Sequence, residues 1–540
     1  MGQLSTEEVL LLNNLIYMNS KEPFKDMADY QGKTIGDLVD DIDTGKFNDE
    51  TDYTAFTNGR EWKNIIQSVR SDEKLCSTVI ASSYDDGNGG KSILFHNTTD
   101  NEAVVVYRGT GSPAEWKDNF QGGSVTDQPD GVSTLQQERA LEWYQSQNLD
   151  GYDSVTVSGH SKGGNKAKYV TIMDDSVDRC LAFDGQGFSD EFIEKYEDKI
   201  AENQYKIHNH NVDGDYVNIL LNDVGDKTYY KGYNYGDGKF LENHCPNTYM
   251  KYDKNGNFTM VETDQNPDVQ NLDKFLNSYL RSIPQNERKD TLNLIGTMVE
   301  LANQGSTMDE LLISFTEGNH TDRAAKLLAY FIKYEQQNPE MVDSIRNILD
   351  AAGYGDFIEY VNIVENVLNN KYFDKFLNAA DWLSGNIPDW ILEWISNYIE
   401  ENYHVTLDKE QLKKLLRMIH TVNTEMDQIQ IKDNGEDRKV SDRSHENVGG
   451  GFKPCDFVVN YTVLKKISDS ILDQQQFCAQ MAEQVAGIHE KLGFHYASLA
   501  AAMTMQERQI TQCGAYCRQL AEALQRISRE YEQTEKQILA

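Results

Sequence analysis

Val155 to Asn165 reads Val-Thr-Val-Ser-Gly-His-Ser-Lys-Gly-Gly-Asn, a Gly-x-Ser-x-Gly frame set between a β-rich run and a helix-like stretch. That context gives the five residues their meaning, because a serine on a sharp strand-to-helix turn lifts its hydroxyl out of the backbone. Only small neighbours let the chain fold so tightly, and Gly159 and Gly163 supply them. The following helix turns free amides and the positive end of its dipole toward the hydroxyl, which favours negative charge developing there. Ser161 is the candidate nucleophile, and His160 inside the turn reads as support for it.

A strand feeding a helix in this way belongs to an α/β sheet, and residues 1–264 carry the rest of one. Ser92–His96 and Ala103–Tyr107 read as paired strands around an Asn-Thr-Thr-Asp-Asn turn, and Ser154–Val157 as a buried strand. Leu181–Phe183 and Val217–Leu221 are further strand candidates. Helical stretches over Thr134–Gln147 and Asn165–Met173 alternate with them, as in a sheet covered on both faces. Ser5 and Glu8 have the spacing of a capping box at the start of a first helix.

The 540 residues exceed what one hydrophobic core accommodates, so about two to four domains are expected. Residues 265–430 turn helical, and Asp389–Ile399 is dense in large apolar side chains, suited to a core helix or to a lid. Residues 431–454, charged and Gly-rich, read as a linker. Residues 455–540 contain no proline and keep a heptad rhythm in two stripes that break at Gly493. Two long antiparallel helices are the simplest solution. With 8 Lys plus Arg against 10 Asp plus Glu, this segment carries −2 of the chain's −36.

A serine nucleophile needs oxyanion donors, a base, and an acid that fixes the base's tautomer. The amide of Lys162 is the first donor. Thr110, closing the strand that ends Tyr107-Arg108-Gly109-Thr110, offers an amide and a hydroxyl as the second. Among the histidines, His244 lies in a loop suited to reaching a cleft, with His208 and His210 as alternatives. Asp215 follows the nucleophile and precedes His244, the order serine, acid, histidine; Asp184 is the rival acid and Asp213 a lesser one.

The charge of −36 excludes nucleic-acid binding by a basic surface and disfavours attraction to anionic lipid, so a lipid substrate would have to be captured by apolar surface. No apolar run reaches the roughly 18 residues of a membrane span, and the first residues lack the pattern of a cleaved leader. Seven scattered Cys, with no Cys-x-x-Cys pair, read as reduced thiols, with Cys513 and Cys517 in the helical seam. No cofactor or metal is called for, and Asp253–Asn257 reads as an Asn-Gly hairpin turn instead of a calcium loop.

Taken in order, Tyr-Arg-Gly-Thr with Trp116 and Asp118 following, Gly-His-Ser-x-Gly-Gly, Asp-x-Val and a late histidine resemble the class 3, or fungal-type, lipases over residues 60–260. Bacterial lipase-like proteins with Gly-His-Ser-Lys-Gly-Gly-Asn are the nearest pattern. The resemblance implies an α/β-hydrolase domain acting on lipid esters, with Ser161, Asp215 and His244 as triad and Thr110 with Lys162 as oxyanion donors. Two residues depart from it: Lys162 stands where Leu is usual, and Asn218 where Pro is commoner.

Asp456–Asn460, with Leu464 and Ile467 spaced after it, is similar to the start of the LXG- and WXG-related targeting domains of type VII secretion. Tyr531 and Glu535 match the Tyr-x-x-x-Asp/Glu export motif. This second resemblance implies a protein made in a bacterial cytoplasm and exported without a cleaved signal peptide. Small helical WXG-like partners would bind residues 455–540, and a toxin of this kind would have an immunity protein. A soluble carboxylesterase or thioesterase, or a non-catalytic scaffold on a hydrolase fold, are the alternatives.

Overall fold

The computed structural model describes residues 3–440, except 55–56, 88, 112–117, 120–121, 125, 127, 234–239, 255, 286, 293–319, 352–360, 363, 367, 369–388, 404–405, 407, 432 and 434. The expected C-terminal hairpin, with Tyr531 and Glu535, lies outside the described residues, as does Trp116.

Eight strands form one sheet: β1 (Val79–Asp85), β2 (Lys91–Asn97), β3 (Glu102–Tyr107), β4 (Ser154–His160), β5 (Arg179–Phe183), β6 (Ile207–Val212), β7 (Asp226–Tyr230) and β8 (Glu262–Thr263). They lie side by side in chain order. Strands β3 to β7 pair in parallel, while β1, β2 and β8 add antiparallel edges. Side chains alternate across the pleat. Ala103, Val105 and Tyr107 therefore enter one core, with Val155, Val157 and Cys180, while Val104 and Val106 enter the other, with Leu181 and Phe183. Helices α1 (Thr6–Leu15) and α2 (Gly59–Arg70) cover the second face, and α3 (Leu135–Gln145) and α4 (Lys162–Met173) the first. The Ser5 side chain caps α1 as its spacing predicts, with Glu8 returning the bond.

Strands β1, β6, β7 and β8 lie outside the strand candidates of the sequence, and β6 shows most clearly why. Its pattern, Ile-His-Asn-His-Asn-Val, lacks apolar alternation, yet Asn209, His210 and Asn211 are buried. Hydrogen bonds from the Asn209 side chain to the Val224 and Asp226 carbonyls replace apolar contact. Val217–Leu221, expected as a strand, is instead an irregular loop in the β6-to-β7 crossover. Its apolar residues serve a different core: Ile219 and Leu221 pack into the helical lobe.

Among the described residues that lobe contains α5 (Pro267–Ser282), α6 (His320–Gln337), α7 (Pro339–Ala351), α8 (Asp389–Tyr403) and α9 (Lys409–Met426). Leu392, Ile395 and Ile399 of the apolar-dense segment are buried within it, as a core helix requires. On α5, Asn277 clasps the crossover loop, accepting from the Leu221 amide at 3.0 Å and donating to the Ile219 carbonyl at 3.1 Å. Residues 431–440, read as part of a linker, are pinned as a strap. Arg281 meets Asp433 at 3.1 Å, Lys227 meets Asp437 at 2.7 Å, and Val440 packs beside the sheet.

Under the strap, burial and the neighbouring Asp437 push the Asp273 carboxyl from 3.8 up to about 7. Between those values the folded chain holds a proton that the unfolded chain has released, so stability falls as pH rises through that window. Asp273→Asn keeps the bond from Asn277, 2.6 Å in the native chain. The variant is expected to gain about 1–2 kcal/mol at about pH 8 and almost nothing at about pH 4. Thermal unfolding at the two pH values checks this, and equal gains at both would contradict it.

Candidate active site

Strand β4 ends at His160 and α4 begins at Lys162, leaving Ser161 on the turn with φ +61° and ψ −127°. A residue bearing a Cβ rarely adopts positive φ, and here the surroundings enforce it. The Ser161 amide donates to the Phe183 carbonyl at 2.9 Å, and its carbonyl accepts from the Asn165 amide at 3.1 Å. A Cβ on Gly163 would lie 2.0 Å from the Tyr107 carbonyl oxygen, and one on Gly159 2.1 Å from the Gly163 backbone. Both glycines are thus required by close approach of backbone to backbone.

The structure brings Ser161, His244 and Asp215 together. His244 Nε2 lies 2.7 Å from Ser161 Oγ, and its Nδ1 lies 2.5 Å from Asp215 Oδ2. Asp215 is fully buried, and its other oxygen accepts from the amides of Val217 at 2.5 Å and Asn218 at 2.9 Å. Those amides hold the carboxylate in one orientation. The carboxylate then keeps a proton on Nδ1, so that Nε2 faces the serine as an acceptor. Tyr216 and His160 flank the His244 ring, at centroid distances of 5.5 and 4.8 Å.

The other candidates have other partners. His208 pairs with Asp226 at 2.9 Å and His210 with the Tyr230 hydroxyl at 3.1 Å. Asp213 accepts from the Gly232 amide, and Asp184 is occupied by Val212, Asn218 and Tyr249. His160 supports the turn, its Nδ1 lying 2.9 Å from the Tyr17 hydroxyl of the segment after α1. Burial, reinforced by His244, drives the His160 imidazole well below its ordinary range and keeps it neutral.

The two expected oxyanion donors are Lys162 and Thr110. Lys162 begins α4, so its amide belongs to the first helical turn, whose N–H groups lack intrahelical partners. Thr110 Oγ1 accepts from the Asn119 side-chain amide at 2.7 Å, which leaves the threonine proton to be donated. The Lys162 side chain turns into the protein and is 1% exposed. Its ammonium lies 2.8 Å from Asp118 and 3.3 Å from both Thr134 Oγ1 and Asn165 Oδ1. Burial pushes the Asp118 carboxyl up, but the charge and hydrogen bond of Lys162, together with hydrogen bonds from Thr134 and the Gln136 amide, hold it below its ordinary value.

Asn119 and Tyr249 are not among the residues that the sequence marks, and Asn218 is marked there without a role. Their polar side chains at buried sites leave no periodic signal, and only Asn218 carried a hint, as a departure from a commoner proline.

A parallel-centred sheet, a serine on a tight strand-to-helix turn and the chain order serine, aspartate, histidine are the arrangement of the α/β-hydrolase fold. Residues 91–296 match the family model described as Mbeg1-like. Among solved structures the chain is similar to a mutant form of MDLA from Penicillium cyclopium, at 11% identity and a TM-score of 0.27, over 48% of this chain and 88% of that one. It is similar also to the Lip2 lipase of Yarrowia lipolytica, at 12% identity and a TM-score of 0.26, over 48% and 84%. A triacylglycerol lipase from Penicillium expansum matches at 12% identity and a TM-score of 0.22, over 29% and 70%. No curated protein matches the chain.

Proposed function

We propose that this protein is a serine acyl-ester hydrolase acting on glycerolipids, with phospholipids as the first substrates to test. The observation that carries the reading is the unbroken hydrogen-bonded chain from Ser161 through His244 to Asp215 at the elbow. His244 takes the serine proton as Ser161 attacks the ester carbonyl, and Asp215 stabilises the imidazolium that forms. The Lys162 amide and Thr110 receive the oxyanion. His244 then gives its proton to the departing alcohol, and a water activated by the same imidazole releases the fatty acid. Lipid as substrate rests on the motif resemblance across residues 60–260.

Fatty-acid release from phospholipid micelles, set beside cleavage of a short-chain chromogenic ester, tests this. Preference for micelles supports the lipase reading, activity confined to the soluble ester supports a carboxylesterase, and activity on neither supports a scaffold. Among the described residues, no helix is long and apolar enough to cross a membrane.

We further propose that residues 455–540 form an export and partner-binding module of the type VII kind, making the protein a secreted effector directed at competing bacteria or a host. Co-expression with small helical proteins of the WXG type is expected to give a complex that a chain ending at residue 454 fails to form. If both chains elute alone in size-exclusion chromatography, the proposal fails.

A further inference from the structure

The mechanism leaves one carboxyl of the pocket unused. Asp184 follows β5 directly, is fully buried, and has φ +45°, a region that Asp and Asn enter more readily than other side-chain-bearing residues. Its Oδ1 accepts from the Val212 amide at 2.7 Å and from Asn218 Nδ2 at 2.8 Å. Its Oδ2 lies 2.5 Å from the Tyr249 hydroxyl, and that hydroxyl lies 2.7 Å from the His210 carbonyl oxygen.

A phenol has one proton. Given to Asp184, it leaves the Tyr249 and His210 oxygens face to face at hydrogen-bonding distance with nothing between them. Given to His210, it leaves the same gap toward Asp184. Three oxygens joined by two short contacts need two protons, and the carboxyl is the group that can supply the second.

The surrounding charges agree. Asn218 bridges the two carboxyls, its side chain donating to Asp184 and its backbone amide to Asp215, so a second anion would sit one residue from the first. Among the described residues, the other titratable groups near this pocket are Tyr249, Tyr230, His210, His160 and His244. Burial, followed by the charge of His208, lowers His210 to about 4, and His160 is likewise held neutral, so neither supplies a compensating cation. Burial first, and then the charge of Asp215, push the Asp184 carboxyl well above its usual range.

We infer that Asp184 is a neutral carboxylic acid in the working protein, donating to Tyr249 and positioning the acid loop while Asp215 alone carries negative charge beside His244. The neutrality matters because an Asp184 oxygen and the ring nitrogens of His160 and His244 lie within 4.8 Å of one another. A second anion there would compete with Asp215 for the imidazolium and weaken the hold on a single tautomer. The catalytic consequence rests on the serine-hydrolase reading; the proton does not.

Infrared difference spectra in light and heavy water, recorded at neutral pH in the Ser161→Ala background, make the test independent of turnover. A protonated-carboxyl C=O band is expected that Asp184→Asn removes and that Tyr249→Phe shifts to higher frequency by deleting its acceptor. With Ser161 intact, Asp184→Ala should lower kcat/KM by about 10- to 100-fold by leaving buried donors unpaired. Asp184→Asn should restore most of that loss, since an amide keeps the acceptor and brings an N–H toward Tyr249. Absence of the band, or an Asp184→Asn protein that fails to fold or behaves as Asp184→Ala does, would overturn the inference. A band present in a protein without hydrolytic activity leaves the proton in place and sinks the hydrolase reading instead.

Discussion

Ser161→Ala is expected to remove acyl-ester hydrolysis almost entirely, lowering kcat by about 10⁴- to 10⁶-fold, while the protein unfolds at or slightly above the wild-type temperature. The activity loss follows from the arrangement of the site. Without the hydroxyl at 2.7 Å, His244 has no proton to take and Asp215 orients a base that serves nothing. The residual rate measures what the oxyanion donors and binding supply alone. The stability expectation has a separate basis. The positive φ at Ser161 is enforced by Gly159, Gly163 and the Phe183 carbonyl, none of which the substitution touches. Activity surviving in the purified variant would place the nucleophile elsewhere in the chain.

Lys162→Met is expected to cost about 3–5 kcal/mol of stability, because it strands the Asp118 carboxylate in a buried site without its cation. The sign with pH is fixed. Deprived of the ammonium at 2.8 Å, Asp118 keeps only the hydrogen bonds from Thr134 and the Gln136 amide against the burial that pushes its carboxyl upward and is the largest influence on it. The folded variant then favours the protonated acid, so its deficit shrinks below about pH 5 and is largest above neutrality. Combining Lys162→Met with Asp118→Asn removes the stranded charge and should recover more than half of the loss. Because the donor assigned to Lys162 is its backbone amide, the double variant should also keep measurable hydrolysis. Denaturant unfolding of the four proteins decides the matter; a single variant as stable as wild type would show that the pair contributes nothing.

Much of the architecture was legible because it obeys simple periodicities. The strands ending at Tyr107 and His160, and the helices over residues 135–145 and 162–173, announce themselves by apolar runs, turn residues and capping pairs. The pairing of Ser161 with His244 could be anticipated from motif order, but order alone left Asp184 and Asp213 open as the acid beside Asp215. What stayed hidden is polar and buried. Strand β6 carries Asn and His where a core strand ordinarily carries Val and Ile, and its interior bonds cannot be read from spacing. The run Val217–Leu221 misled for the complementary reason, since its apolar residues are committed to a core distant in sequence. The Lys162–Asp118 pair escaped because a lysine after the nucleophile reads as surface until a buried partner is found for it.

The crossover loop that carries Asp215 belongs to two bodies at once. One end orients the histidine of the site, and the other is anchored in the helical lobe through Ile219, Leu221 and the clasp of Asn277. A fragment cut at residue 264 would keep Ser161, Asp215 and His244 and discard the wall against which the Asp215 loop is braced. If the proposed hydrolase reading holds, the smallest active fragment is therefore expected to run through the strap to about residue 440. The lobe is accordingly not an accessory to be grafted or shed, and substitutions in its interior, remote from any ester, should register as changes in how firmly His244 is aimed.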